Sequence, residues 1–238
     1  MIRISEIFGP VIQGEGIHIG EPTIFVRVGG CDYRCSWCDT MYAVDPIHRA
    51  DWHPMSDADI CAAVQELSSK PILITLSGGN PALYDFANVI AHMQASGYHF
   101  TIETQGSIAA NWFRLLDSMT LSPKPPSSNM PTDYQKLERC MDFLEPDRIN
   151  LKIVVADQED YEYARQTAAR FPHLRCFLQV CNPNPTSDTS HPFDLERERD
   201  LLLAKLQWLT ELVLADSWFK ATVLPQLHVL IYGNRRGV

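Results

Sequence analysis

Strand-length apolar runs alternate with helix-length amphipathic stretches about six times along this chain of 238 residues. No other feature limits the fold as strongly. Pro22–Val28, Pro71–Leu76, Tyr98–Glu103, Met119–Leu121, Ile149–Val155 and Arg175–Val180 read as strands. Helices are predicted from Ser56 to Leu67, Leu83 to Ser96, Asn111 to Ser118, Thr132 to Leu144, Asp157 to Phe171 and Leu195 to Leu214. Ser56 and Asp157 carry side-chain oxygens suited to accept first-turn amide N–H groups. Strands joined through helices pair in parallel. The expected fold is therefore α/β, a partial (β/α) barrel with about six mostly parallel strands. Functional groups in such sheets gather at the carboxyl ends of the strands.

The remaining segments frame that core within a single domain spanning residues 1–238. Ile4–Phe8 is a short strand that Gly9-Pro10 breaks, in an N-terminal hairpin extension over 1–21. Residues 41–55 form a linker, and Asn182–His191 is a loop rich in Pro, Asn, Ser and Thr. Thr222–Ile231 is a last apolar run within a C-terminal segment, 215–238. With 20 Lys and Arg against 29 Asp and Glu, the net charge is −9. That balance opposes sequence-independent nucleic-acid binding, which needs a basic stripe. No apolar run reaches the roughly 20 residues of a membrane span. The start lacks the apolar core of a secretory signal. A cytoplasmic protein without a nucleic-acid or membrane partner is expected.

Cys31, Cys35 and Cys38 follow the Pro22–Val28 strand directly, three of seven cysteines in the chain. Thiolates so spaced can converge on one soft-metal object. Three of them leave one position open on a tetrahedral zinc or a four-iron cluster. A catalytic centre needs that opening. A structural zinc needs a fourth ligand, and no Cys or His stands nearby at finger spacing. Cys61, Cys140 and Cys176 lie in apolar patterns and read as small buried hydrophobes. Cys181 opens a polar loop and fits that reading less well. His48 and His53 read as solvated loop residues.

The same rim collects Ser77–Gly79, Glu103–Gln105, Ser122–Lys124 and Gln179. Gln13-Gly14-Glu15-Gly16 is either a plain turn or a backbone free to approach a ligand. Arg27, in an otherwise apolar strand, is either edge-exposed or forks onto a carboxylate or phosphate. Its place just before the cysteines favours the second. Ser77-Gly78-Gly79-Asn80-Pro81 joins strand to helix and can present amides to a ligand. It is neither a Walker loop nor a full dinucleotide fingerprint. Lys124, in a stiff Pro-rich loop, is a site residue or a solvated lysine, and Asp39 faces the site or caps the next turn.

The cysteine triplet, with Trp37 before its last member, resembles the signature of the radical S-adenosylmethionine superfamily. The resemblance narrows further. Ile12-Gln-Gly-Glu-Gly16, Phe25-Val-Arg27, Gly30-Cys-Asp32, Trp37-Cys-Asp-Thr40, Glu103-Thr-Gln105, Ser122-Pro-Lys124, Leu224-Pro-Gln-Leu-His228 and Tyr232–Val238 are similar to 7-carboxy-7-deazaguanine synthases. These stretches cover the chain from end to end. Asn80 stands where Glu is more usual before that proline.

The resemblance implies a radical S-adenosylmethionine core holding a [4Fe-4S] cluster on Cys31, Cys35 and Cys38, with the cofactor on its fourth iron. It implies contacts to S-adenosylmethionine from Trp37, Cys38, Asp39, Gly79, Glu103, Ser122, Pro123, Lys124 and Gln179, and Mg2+ at Thr40. The implied substrate, 6-carboxy-5,6,7,8-tetrahydropterin, would meet Ile12, Gln13, Gly14, Arg27, Ser77 and the Val238 carboxylate, with 215–238 closing the site. Without the resemblance, Val238 reads as a frayed terminus. The reaction would yield 7-carboxy-7-deazaguanine with loss of ammonia, in queuosine and other 7-deazapurine biosynthesis. No side chain is assigned as a catalytic acid or base, because the radical chemistry belongs to the cofactor. A flavodoxin-type reductant and a homodimer are implied as well. Two rivals remain: a radical enzyme that activates a partner protein, and a zinc-bearing module without catalysis.

Overall fold

The computed structural model describes residues 1–186 and 191–238. Residues 187–190 of the predicted Asn182–His191 loop lie outside them. Nine strands form one sheet: β1 (Ile2–Ile12), β2 (Pro22–Val28), β3 (His53–Met55), β4 (Leu73–Gly78), β5 (His99–Thr104), β6 (Ser118–Leu121), β7 (Ile149–Val155), β8 (Arg175–Val180) and β9 (Ala221–Leu224). The helices are α1 (Met41–Val44), α2 (Asp57–Leu67), α3 (Ala87–Gln94), α4 (Tyr134–Met141), α5 (Gln158–Arg170), α6 (Pro192–Ala215) and α7 (Leu227–Tyr232). The sheet order is β3-β1-β2-β4-β5-β6-β7-β8-β9. From β2 through β9 every neighbour is parallel, while β1 is antiparallel to both β2 and β3. The sheet is open, as expected of a partial barrel, and larger than the six strands predicted.

Four differences from the sequence expectations have physical causes. Gly9-Pro10 does not end β1. The strand runs through it with a register shift between Phe8 and Val11, an irregularity that absorbs a missing amide donor. The 41–55 linker is not loose: it carries α1, a 3-10 helix at Pro46–Asp51 and β3. Trp52 holds it down, its indole N–H donating to Tyr42 O at 2.8 Å and its ring lying where a Cβ on Gly29 would come within 2.3 Å. The last apolar run divides into β9 and α7, and Pro225 between them supplies no amide N–H. Asn111–Ser118 is likewise no full helix but a 3-10 helix at Asn111–Leu115, because β6 already begins at Ser118. The Asp117 carboxylate there accepts the Phe100 N–H at 2.7 Å.

The parallel register sorts the strand residues onto two faces, since side chains alternate along each strand. The face turned to the helices is aliphatic: Ile24, Val26, Ile74, Leu76, Ile102, Leu121, Leu151 and Ile153 are all fully buried. Helices α3 and α5 pack against β5 and β7. The inner face carries polar groups in pairs. Thr23 and Thr75 hydroxyls lie 2.9 Å apart, as do those of Thr101 and Ser118. Thr120 donates to Asn150 Oδ1 at 3.1 Å. Further along these strands, two residues on in β4, β5 and β7 and four in β2, the same alternation brings Arg27, Ser77, Glu103 and Lys152 to one rim.

Candidate active site

That rim opens into a cavity of about 250 Å³. It is lined by every predicted site residue except Pro123 and Gln179. Gln179 is buried on β8, and its amide donates to Leu224 O at 3.3 Å while its Oε1 has no partner. Pro123 is buried beside Ser122 and Lys124, which do line the cavity.

At one end lie Cys31, Cys35 and Cys38, all free thiols and partly exposed. Among the described residues, one set of three His, Cys, Asp or Glu side chains has its ligand atoms within 4.8 Å of one another, and it contains none of these cysteines. Three sulfurs bound to one zinc at about 2.3 Å would stand within about 4 Å of each other. The wider spacing fits a cluster of several irons better than a single ion. Burial pushes the Cys31 thiol up to about 11, with the charges of Asp32 and Cys35 adding to it. Burial raises Cys35 and Cys38 in the same way. Gln105 Nε2 points at Cys31 Sγ from 3.8 Å and donates to Asp32 Oδ1 at 2.7 Å.

The base of the cluster loop is pinned to the glycine motif. Gly79 N–H donates to Val28 O at 3.1 Å and Asn80 N–H to Gly30 O at 2.8 Å. A Cβ on Gly79 would fall 1.9 Å from Gly30 O. The glycine therefore permits backbone contact, and its amide is spent within the protein. Asn80 is fully buried: its Nδ2 donates to Asp32 Oδ1 at 2.9 Å and its Oδ1 accepts from Thr104 Oγ1 at 2.9 Å. An uncharged amide, unlike the more usual Glu, can donate to Asp32 and accept from Thr104 at once.

The other end is a belt of buried polar side chains. Lys152 Nζ donates to Glu103 Oε2 at 2.9 Å and also pairs with Glu15. Gln13 Nε2 donates to Glu103 Oε1 at 3.3 Å, and Gln226 Nε2 to Glu15 Oε1 at 2.7 Å. Burial alone would raise the Glu15 carboxyl, but the charges of Lys152 and then His228 overcome it and pull it down to about 2. Burial alone would lower Lys152, and Glu103 and Glu15 instead raise it. Gln226 Oε1 is buried without a partner. The backbone groups of Gln13 close the hairpin, N–H to Glu21 O and C=O from Gly20 N–H, both at 2.8 Å. Gly14 O accepts from Leu227 N–H at 3.0 Å. Backbone groups expected to meet a ligand are thus largely engaged, and the Gln13 side chain is held as well, its Oε1 accepting from Glu15 N–H at 3.3 Å.

Asp39 links the two ends: with Glu15 and His228 it forms the set of ligand atoms within 4.8 Å. Thr40 stands next to it, its hydroxyl 3.6 Å from Cys38 Sγ. Along the wall, Arg27 Nε donates to Glu6 Oε1 at 2.7 Å, its guanidinium carbon 5.7 and 5.8 Å from the centroids of the stacked Phe8 and Phe25 rings. Burial opposes the Arg27 charge, yet Tyr42, Glu6 and Asp39 more than restore it. Tyr42 OH also donates to Glu6 at 2.8 Å, and the Arg236 guanidinium lies 3.5 Å from the Tyr42 ring centroid. Gly233–Val238 line the cavity on that side.

Sequence reasoning left Glu6, Tyr42, Lys152, Gln226 and Arg236 without roles. Lys152 had a readable signal, the same lone charge in an apolar strand that marked Arg27. Cys181 is buried in the cavity wall, its thiol pushed up to about 12 by burial. It behaves as a small hydrophobe there, as do buried Cys61, Cys140 and Cys176.

No family model matches the chain. Individual proteins do. It is 41% identical to the 7-carboxy-7-deazaguanine synthase of Bacillus subtilis, over all of this chain and 98% of that protein. Against the enzyme of the same name from Thermoplasma acidophilum it is 30% identical, over 99% of each. Among solved structures, QueE from Escherichia coli has the same fold, with a TM-score of 0.68 and 22% identity over 95% of this chain and 94% of that one. A structure of anSMEcpe with bound AdoMet and a peptide aligns with a TM-score of 0.51 and 15% identity, over 87% of this chain and 64% of that one. Full-length identity at this level, on a chain whose thiols and polar belt share one cavity, places it: the chain belongs to the 7-carboxy-7-deazaguanine synthase family of radical S-adenosylmethionine enzymes.

Proposed function

We propose that the chain converts 6-carboxy-5,6,7,8-tetrahydropterin to 7-carboxy-7-deazaguanine and ammonia, a ring contraction without net oxidation or reduction. One observation carries the reading: a single cavity joins three free thiols to a buried belt of amides, carboxylates and one ammonium. When bound, the [4Fe-4S] cluster and S-adenosylmethionine supply the radical that starts the reaction. Cys31, Cys35 and Cys38 hold the cluster. Trp37, Asp39, Gly79, Ser122 and Lys124 surround the cofactor, while Pro123 and Gln179 act from behind that wall.

The polar belt suits a pterin edge, which offers both donors and acceptors. Gln13, Glu15 and Gln226 supply complementary groups, including the Gln226 Oε1 that lacks a donor. Ile12 and Gly14 border the ring, and Ser77 and the Val238 carboxylate reach its periphery. Arg27 keeps its charge and pairs with the substrate carboxylate. Glu103, anticipated at the cofactor, is bound to Lys152 and Gln13 and stands between cofactor and substrate. Thr40 contributes a hard oxygen to Mg2+, with Asp39 close by. Segment 215–238 covers the substrate. A flavodoxin-type protein delivers the electron, and the chain pairs as a homodimer, for which the exposed Leu203, Leu214 and Phe219 offer apolar surface.

The test is anaerobic incubation of reconstituted protein with S-adenosylmethionine, reductant, Mg2+ and the tetrahydropterin. The deazaguanine product and ammonia are expected in equal amounts. A protein that cleaves the cofactor without forming the deazaguanine would overturn the substrate assignment. A colourless preparation holding only zinc would overturn the cluster.

A further inference from the structure

Among the described residues two buried carboxylates, Asp160 and Glu198, lie outside the cavity, and the reaction described above uses neither. Asp160 on α5 is fully buried. Its Oδ1 accepts from Ser127 N–H at 3.0 Å, and its Oδ2 from Ser127 Oγ at 2.6 Å and Ala156 N–H at 2.9 Å. Ser127 has a single hydroxyl proton, and it goes to Asp160. Its oxygen is thereby left to accept, and it does so from Trp37 Nε1 at 2.8 Å. Asp160, which in its ionised form can only accept, sets the direction of the first bond, and the indole N–H, which can only donate, sets that of the second.

Trp37 has one donor, and this relay consumes it. The indole plane is therefore fixed, with Lys124 Nζ 5.7 Å from its ring centroid. The neighbouring contacts tie the same two loops together. Ser36 Oγ donates to Ser127 O at 2.5 Å, Tyr33 OH to Pro131 O at 2.6 Å, and Ser36 N–H to Ser128 O at 3.0 Å. α5 grips the second loop again through Tyr163 OH, 2.7 Å from Thr132 Oγ1.

We propose that Ser127 and Asp160 are positioning residues for the cofactor: through the Trp37 indole, they hold the wall against which S-adenosylmethionine binds. The proposal rests on the placement of Trp37 beside the cofactor given above. It separates cofactor affinity from cluster assembly, because the three thiols are not members of the relay.

The experiment compares wild type, Ser127→Ala and Ser127→Thr as reconstituted holoenzymes. Iron content is measured first. S-adenosylmethionine is then titrated while the electron paramagnetic resonance signal of the reduced cluster is followed. Ser127→Ala is expected to keep its iron and to need about three- to tenfold more cofactor for the same spectral change, the worth of one hydrogen bond. Ser127→Thr, which keeps the hydroxyl, is expected to restore wild-type affinity. Asp160→Asn always sets an amide donor against the N–H of Ser127 or Ala156, and it should weaken binding at least as much as Ser127→Ala. A Ser127→Ala protein that binds the cofactor like wild type overturns the relay. So does one that loses its iron, since Ser127 would then serve the cysteines. A wild-type cluster whose signal ignores the cofactor instead removes the reading on which the relay rests.

Discussion

The Lys152 ammonium stands 2.9 Å from Glu103 Oε2 on the inner face of the sheet, with only 6% of the lysine side chain exposed. Because Glu15 takes the same ammonium, one cation serves two carboxylates. Lys152→Met leaves both acids buried without their ammonium, Glu103 held only by the Gln13 amide and Glu15 by the Gln226 amide. The expected cost is about 3 kcal/mol, which for a chain of this size lowers Tm by roughly 6–12 °C. Thermal unfolding of the metal-free protein checks this. An unchanged Tm would mean the belt serves ligand binding alone.

The same belt gives a pH signature. The Glu15 carboxyl is pulled from its ordinary 4.5 to about 2. A depressed acid stabilises the fold above its unfolded value and loses that contribution as pH falls through the folded one. Lys152 is raised above its ordinary 10.5, so its contribution is complete below that value and is lost as pH climbs beyond it. Stability from the belt should therefore be level between about 4.5 and 10.5 and fall on either side. Urea unfolding between pH 5 and pH 3, values set by that window, should show a steeper loss for wild type than for Glu15→Gln.

Two glycine replacements should behave differently. A Cβ on Gly79 meets the Gly30 carbonyl oxygen at 1.9 Å, so Gly79→Ala must move backbone at the root of the cluster loop. Iron retention and Tm should both drop. A Cβ on Gly14 meets His228 Nδ1 at 2.1 Å. The His228 backbone nitrogen also lies 2.9 Å from that Cβ, so the start of α7 must shift, away from the cluster loop; Gly14→Ala should keep its iron while turnover falls about tenfold or more through lost substrate positioning. Iron analysis beside steady-state kinetics separates the two.

Thr40 tests the magnesium assignment. Thr40→Ala should leave cluster absorbance and cofactor cleavage near wild type, lower product formation, and raise the Mg2+ concentration needed for half-maximal rate. Removing Mg2+ with a chelator should mimic the variant in the wild-type protein. Wild-type behaviour of Thr40→Ala at limiting Mg2+ would exclude the residue as a ligand.

Much of this was legible because strand and loop signals are local. The cysteine triplet, the Ser77–Pro81 motif and the lone Arg27 were all visible within a few residues of chain. What stayed hidden depends on partners far apart. Residues 41–55 look polar and loop-like, and only Trp52 under Gly29 explains why they are ordered. Glu6 is unremarkable until β1 places it opposite Arg27. The Ser127–Trp37 bond spans 90 positions and leaves no periodic trace. Lys152 is hidden for another reason: its strand is apolar enough to read as plain core.

Glu15 finds its partners 137 and 211 positions further along the chain, at Lys152 and Gln226. During synthesis the first hairpin emerges early but can satisfy its buried acid only after nearly everything else has been translated. Contacts of such long sequence separation slow folding. A nascent chain halted before β7 would carry that carboxylate solvated and unpaired. Maturation of the pterin-facing floor is thus a late event, and it reports that the entire sheet has been laid down.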